Sequence, residues 1–266
     1  MTKKSKVYLS LSLSMILLLT VLVQSVYADD LNINAISSIA LDCDSKVVLY
    51  EKNAYKPIEI ASTTKIITAL VAIKCGDLNK KIIISKKAAN IRGSEIGLKE
   101  GEEITLKELL YGLLMRSGND AAIAIAEGVS GSVDEFLKLM NEYALEIGLL
   151  NSNFESPHGL DSANHYSTAY DLALITAKAK EVKTFNDIVG SKDVIAEEHN
   201  FTRSYHNINK ILSLLSNSTG VKTGFTGKAG KCLVTSVKIQ NRDIIIITPH
   251  DCAGEHHHGP APSAGG

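Results

Sequence analysis

The chain has 266 residues, a net charge of −1 at neutral pH, 45% hydrophobic residues and 21% charged ones. A near-neutral charge offers no basic face to a nucleic-acid backbone, and an ordinary glycine content excludes a fibrous or low-complexity chain. Cys43, Cys75, Cys232 and Cys252 lie far apart with no CxxC spacing. Neither a thiol redox motif nor a cysteine zinc site is signalled, and isolated thiols are expected.

The first stretch reads as a leader. Lys3, Lys4 and Lys6 precede an apolar run over 7–26, and Val26-Tyr27-Ala28 sets a small residue just before Asp29. This is the pattern of a secretory signal cleaved after Ala28. An uncleaved anchor is the rival reading, because the run is near the length of a membrane span. Cleavage takes the net charge from −1 to −4 and leaves 238 of the 266 residues, enough for one large domain or two small ones. The organisation expected is a leader over 1–28, a folded unit over 29–248 and an unstructured tail over 249–266.

Apolar runs at 38–41 and 47–50 flank a turn-forming segment at 42–46 and predict a β-hairpin. A polar link over 52–60 leads to Ser62-Thr63-Thr64-Lys65 and the apolar run 66–73. The spacing predicts a helix over 62–74, apolar on nearly every side and therefore buried, with Ser62 and Lys65 on one face about one turn apart. An N-cap serine and a snorkelling lysine would explain both residues without chemistry. The run 82–84 reads as a short strand. The glycine- and charge-rich segment 88–103 either rims a cleft or wraps the surface.

Thr105-Leu106-Lys107-Glu108 has the form of a capping box and opens a helix that runs out at Arg116. Ser117-Gly118-Asn119-Asp120 then interrupts two apolar helices, the second over 121–129. Ser132 with Glu135 starts a helix to Ile147, in which Met140 and Tyr143 read as core. His158 and His165 lack a third ligand at convincing spacing, so no metal is assigned. Thr168-Ala169-Tyr170-Asp171 repeats the capping box before a helix to about Lys180. Short elements over 181–209, an apolar run at 211–215 and a turn at 216–220 precede Lys222-Thr223-Gly224. Strands at 232–237 and 244–247, joined by a turn at 241–243, form an antiparallel pair, with Lys222 near the start of the first. The order of hairpin, helical middle and strands predicts an α+β fold whose N- and C-terminal strands meet in one mixed or antiparallel sheet.

Three pieces answer one another chemically. A serine hydroxyl is a poor nucleophile at neutral pH and needs a base. A lysine serves if it is neutral, and burial or a neighbouring cation lowers its pKa. On this reading Ser62 is the nucleophile, Lys65 the general base and Ser117 a proton relay to the leaving amine. Asn119 orients Lys65 or a substrate amide. Lys222 and Thr223 meet a substrate carboxylate, with Lys222 adding positive potential. Gly224 lets a substrate lie close to the backbone, and the N–H groups of Ser62 and Phe225 form an oxyanion hole. No cofactor is required.

These motifs stand in one order with Pro157-His158-Gly159-Leu160-Asp161, the stretch 165–171, and Gly220-Val221-Lys222-Thr223-Gly224-Phe225-Thr226. With them, over about 39–247, the chain resembles the low-molecular-weight penicillin-binding proteins that act as D-alanyl-D-alanine carboxypeptidases. The resemblance implies the serine β-lactamase/penicillin-binding-protein-like transpeptidase fold, a five-stranded antiparallel sheet packed with helices. It implies removal of the terminal D-alanine from peptidoglycan stem pentapeptides through an acyl-Ser62 intermediate that water hydrolyses, with β-lactams acylating the same serine. It adds Thr226 to the substrate-binding residues. It also implies export, to the medium or the outer face of the cytoplasmic membrane, with peripheral membrane association. A D,D-endopeptidase that cuts cross-links and a non-catalytic peptidoglycan- or β-lactam-binding protein are the alternatives. Class A β-lactamases share the fold, but the Glu-x-x-Leu-Asn segment they use for deacylation has no match between Asn119 and Lys222.

Two departures stand out. Glu59-Ile60 lead into Ala61 where the family usually has a proline. Beyond Ile247 the family continues with a glycine-containing turn, a long helix against the sheet and commonly a second domain with a membrane anchor. Here Thr248-Pro249-His250 leads instead into a tail with three consecutive histidines and no periodicity. His250, Cys252, Glu255 and the three histidines at 256–258 would bind metal only adventitiously. The expectation is a chain truncated at its C-terminal end with a weakened fold, since each exposed apolar side chain forfeits about 1.5–3 kcal/mol against a native stability of about 5–15 kcal/mol.

Overall fold

The computed structural model describes residues 33–250; the leader, and the tail from residue 251 on, lie outside the described residues. Strands β1 (Ser38–Asp42) and β2 (Val48–Lys52) form the expected hairpin. Lys46, in the turn between them, takes a positive φ of 60°. Near the other end of the described chain come β7 (Ser218–Thr226), β8 (Gly230–Ile239) and β9 (Arg242–His250). The five strands make one antiparallel sheet in the order β2-β1-β9-β8-β7. The two ends of the fold meet where Ile39 faces Ile247 and Leu41 faces Ile245. Between them lie two small antiparallel pairs, β3 (Lys81–Ile83) with β4 (Glu103–Thr105) and β5 (Asp193–Val194) with β6 (Tyr205–His206).

The helix Lys65–Cys75 runs through the centre of the molecule. Every residue from Lys65 to Ala72 is buried, as its all-round apolar sequence demands. It packs against the helices Leu106–Met115, Asn119–Ser130, Val133–Glu146 and Ala169–Lys180. The last of these lies on β1 and β9. Ile39, Leu41, Val234, Ile245 and Ile247 join the helical layer in one hydrophobic core, along with Met140.

Three helix starts read from the sequence are capped as expected. Thr105 Oγ1 accepts from Glu108 N–H (3.2 Å), Ser132 Oγ from Glu135 N–H (3.1 Å), and Thr168 Oγ1 from Asp171 N–H (3.0 Å). Glu108 and Asp171 use their carboxylates elsewhere. Glu108 Oε1 accepts from Thr202 N–H (2.8 Å), Thr202 Oγ1 (2.7 Å) and Arg203 N–H (3.2 Å), while Asp171 Oδ2 accepts from Asn151 N–H (2.9 Å) and Ser152 Oγ (2.8 Å). Each acid thereby staples a distant loop to a helix start.

The structure corrects three readings. The predicted helix over 62–74 begins as a 3-10 turn, Ala61–Thr64, and becomes α-helical only at Lys65. The turn expected at 216–220 already belongs to β7, which bulges between Ser218 and Val221. Lys222 therefore lies inside a strand of its own rather than at the start of the 232–237 strand, because the hairpin turn falls after Thr226. Finally, β9 continues to His250, pairing Pro249 with Cys232, two residues beyond the expected end of the folded unit.

Truncating Ile245, fully buried in the central strands, to alanine should destabilise the fold by about 2–5 kcal/mol, read as a lower denaturant midpoint with an unchanged slope.

Candidate active site

The 3-10 turn brings Ser62 to the mouth of the buried helix. Ala61 precedes it at a positive φ of 45°, a conformation that costs a non-glycine residue free energy. Ser62 is half-buried, while Lys65, Ser117, Asn119 and Lys222 are each at most 4% exposed. Lys65 Nζ lies 2.9 Å from Ser62 Oγ, 2.8 Å from Asn119 Oδ1 and 2.7 Å from the carbonyl oxygen of His158.

The second piece is built at a helix junction. Leu106–Met115 ends, and Ser117 takes a left-handed φ of 62°, where glycine is the usual occupant. Here the position carries a hydroxyl, and Lys222 Nζ donates to it at 3.0 Å. Asn119 is the first residue of the next helix. Its Nδ2 donates to Arg92 O (2.7 Å), which turns Oδ1 toward Lys65. Asp120 accepts from the N–H groups of Ile96, Gly97 and Leu98. The segment expected either to rim a cleft or to wrap the surface is thus pinned beside the site.

The third piece lies on β7, an edge strand of the sheet. Lys222 also donates to Thr223 O (2.7 Å). Gly224 passes so close to the 3-10 turn that a Cβ there would stand 3.0 Å from Ser62 N and 3.2 Å from Ala61 Cβ. Thr223 and Thr226 are half-buried, and the Phe225 ring is exposed. Thr226 Oγ1 donates to Asp161 Oδ1 at 2.7 Å. All of the residues singled out from sequence, from Ser62 and Lys65 through Ser117 and Asn119 to the stretch 222–226, therefore gather around the start of one helix.

Sequence reasoning gave no role to the loop that completes this cluster. Gly159, at φ 84°, packs under the turn so tightly that a Cβ would meet Ala61 O at 2.0 Å. His158 supplies its carbonyl to Lys65. His165 holds the turn from below. Its Nδ1 accepts from Glu155 N–H (3.0 Å), so the neutral ring carries its proton on Nε2 and donates to Thr64 Oγ1 (2.8 Å), which in turn donates to Ala61 O (2.8 Å). Burial pushes the pKa of both His158 and His165 down to about 4. The available signal was the His-Gly pair within a polar loop, since an isolated glycine often marks a close backbone approach.

Burial, and then the nearby Lys222 charge, hold the Lys65 amine well below the ordinary lysine range. Burial also brings Lys222 down to about 7. Asn119 Oδ1 and His158 O can only accept. A neutral Lys65 amine therefore spends its two N–H bonds on them and turns its lone pair toward the Ser62 hydroxyl. An amine so placed can take the hydroxyl proton.

The chain is similar to known proteins over most of its length. Residues 23–251 match the family model described as D-alanyl-D-alanine carboxypeptidase. The chain is 38% identical over 217 residues to the D-alanyl-D-alanine carboxypeptidase DacF of Bacillus subtilis, an overlap of 79% of this chain and 56% of that protein. It is 30% identical over 227 residues to a D-alanyl-D-alanine endopeptidase of Pseudomonas aeruginosa, covering 84% of this chain and 73% of that one. The crystal structure of a D-alanyl-D-alanine carboxypeptidase from Mycobacterium tuberculosis aligns with a TM-score of 0.80 at 30% identity, over 90% of this chain and 89% of the other. The chain thus spans little more than half the length of the Bacillus relative.

Replacing Lys222 with methionine removes the neighbouring charge. The Lys65 pKa should then rise, and the acid limb of the pH–rate profile for Ser62 acylation should move to higher pH. Gly224→Ala should slow acylation by about 10²–10³-fold by crowding the Ser62 N–H, with little change in thermal stability. Acylation by a fluorescent penicillin, followed in real time, reads both.

Proposed function

We propose, on the footing that the chain belongs to the D-alanyl-D-alanine carboxypeptidase family, that it removes the terminal D-alanine from peptidoglycan stem pentapeptides by serine acyl transfer. Ser62 Oγ attacks the carbonyl of the penultimate D-alanine while neutral Lys65 takes its proton. The oxyanion is held by the N–H groups of Ser62 and Phe225. Ser117, backed by Lys222, gives its proton to the departing amine as the amide bond breaks and takes one in return from the Lys65 ammonium, which leaves Lys65 neutral. Lys222 and Thr223 receive the carboxylate of the leaving D-alanine, and Thr226 lines the strand beyond. Water then attacks the acyl-Ser62 ester with Lys65 again accepting the proton, which restores the hydroxyl.

The observation that carries this reading is the Lys65 environment. Two obligate acceptors fix the amine, and the third direction points at Ser62 Oγ 2.9 Å away. β-Lactams acylate the same serine. The proposed setting is outside the cytoplasmic membrane, at its outer face or in the medium, with peripheral membrane association. It is supported by the basic and apolar pattern of residues 3–28.

Ser62→Ala should reduce D-alanine release from a linear pentapeptide by about 10⁴-fold or more and abolish labelling by penicillin, with an unchanged circular dichroism spectrum. Label recovered on any other residue would sink the assignment. Stoichiometric labelling of the wild-type chain would also remove the expectation of a weakened fold.

A further inference from the structure

Strand β7 is irregular just before it delivers Lys222. Ser218 pairs with Val237 and Val221 with Thr235, so Thr219 and Gly220 together stand opposite Ser236. Gly220 and Val221 take positive φ values of 85° and 125°. The second is a conformation that a β-branched residue avoids. A bulge of this kind re-aims the side chains that follow it, and here one of them is Lys222. Whatever holds the bulge therefore decides where the Lys222 amine stands against Ser117.

Three ties hold it. Gly220 lies against the helix Lys183–Gly190, where a Cβ would meet Val189 O at 2.1 Å. Ser218 Oγ accepts from Gly220 N–H (3.2 Å) and shares a hydrogen bond with Thr235 Oγ1 (3.2 Å). The third tie comes from the helical layer. Lys180, the last residue of the helix Ala169–Lys180, donates from Nζ to Thr219 Oγ1 (2.9 Å) and pairs with Asp243 Oδ2 (3.1 Å). Thr219 Oγ1 donates in turn to Ser236 O (3.4 Å), and Ser236 Oγ donates to Asp243 Oδ1. Lys180, Thr219, Ser236 and Asp243 thus close a ring around the bulge.

The side chains of Lys180 and Asp243 are only 8% and 18% exposed. An ion pair buried to that degree adds little net stability, because desolvating both charges offsets their attraction. A helix C-terminus favours a cation, but a lysine reaching solvent would satisfy it equally well. What the buried pair adds is a donor at a fixed position, and that donor is given to Thr219. Lys180 does not act by charge at a distance. Burial alone lowers the Lys222 pKa to about 7, and the Lys65 pKa answers to burial, then to Lys222 and Asp120.

We propose that Lys180 is a positioning residue of the acyl-transfer site, which locks the β7 bulge through Thr219 and so sets the Lys222 amine against Ser117. Its effect on rate rests on the acyl-serine reading above; the geometry it fixes does not. Three residues of strand, about 10 Å, carry the constraint from Thr219 to Lys222.

The test uses the whole chain and two readouts. Thr219→Val removes the hydroxyl and leaves the Lys180–Asp243 pair in place, whereas Thr219→Ser keeps the hydroxyl. Lys180→Met breaks both contacts and leaves Asp243 unpaired, so its melting temperature is measured alongside. The Lys222 titration is followed by NMR of protein labelled at lysine Cε, with Lys222→Met identifying the resonance. Thr219→Val and Lys180→Met should each raise the Lys222 titration by about one pH unit, as water reaches the freed amine. Each should also slow Ser62 acylation by a fluorescent penicillin about tenfold. Thr219→Ser should match the wild type on both readouts, and Thr219→Val/Lys180→Met should be no slower than Lys180→Met alone. An unmoved titration in Thr219→Val, or a moved titration with wild-type acylation, overturns the positioning role. A titration that moves as expected in a chain whose wild type takes no penicillin at Ser62 would remove the acyl-serine reading and keep the positioning role.

Discussion

The Lys65 amine, buried at the start of the central helix, is the group on which the rest of this structure depends. A buried ammonium is costly unless its charge is compensated, and here a second lysine, Lys222, acts on it more strongly than the Asp120 carboxylate does. Neutralisation is the low-energy answer, and it leaves an amine with two N–H bonds and one lone pair to place. Asn119 and the His158 carbonyl take the N–H bonds, and Ser62 receives the lone pair. Each of those partners is held in turn. Arg92 O fixes the Asn119 amide, and Gly159 lets the His158 carbonyl approach because nothing larger fits beneath Ala61.

Three of the seven non-glycine residues with positive φ among the described residues lie at these places. Among the described residues with positive φ that are not glycine, Ala61 precedes the proposed nucleophile, Ser117 is the proposed relay, and Val221 precedes Lys222. Such conformations persist only where the surroundings over-determine them. The Ala61 carbonyl accepts from Thr64, which His165 holds. Ser117 is tied to Lys222, and Val221 sits in the β7 bulge behind Gly220. Ser117 and Val221 are thus held together around Lys222, while Ala61 is held through Thr64 and His165. This explains why so many buried polar side chains are kept in a core that could have been apolar.

The sheet contributes an edge. β7 brings Lys222 and Gly224 to the helix start on one face of the strand, and among the described residues its outer edge has no neighbouring strand. An open edge invites strand addition, which is a liability unless a partner is intended. Here the edge passes Ser62, the proposed nucleophile, and its two ends differ. One end closes on Asp161 through Thr226, and at the other the helix Ile211–Leu214 packs beside Gly220.

Local pattern alone determined a good part of this protein. The hairpin, the capped helix starts at Thr105, Ser132 and Thr168, the buried helix after Ser62 and the three short motifs could all be read in the sequence, because each depends on neighbours within a few residues. Tertiary structure decided the rest. Lys65 meets Asn119 across 54 residues and His158 across 93, Thr64 meets His165 across 101, and Lys222 meets Ser117 across 105. No local periodicity encodes such distances. The strand that carries Lys222, the 3-10 turn that presents Ser62, and the loop carbonyl and glycine that complete the site exist only because the folded core brings those segments together. There the cost of burying two amines can be met by acceptors from elsewhere in the chain.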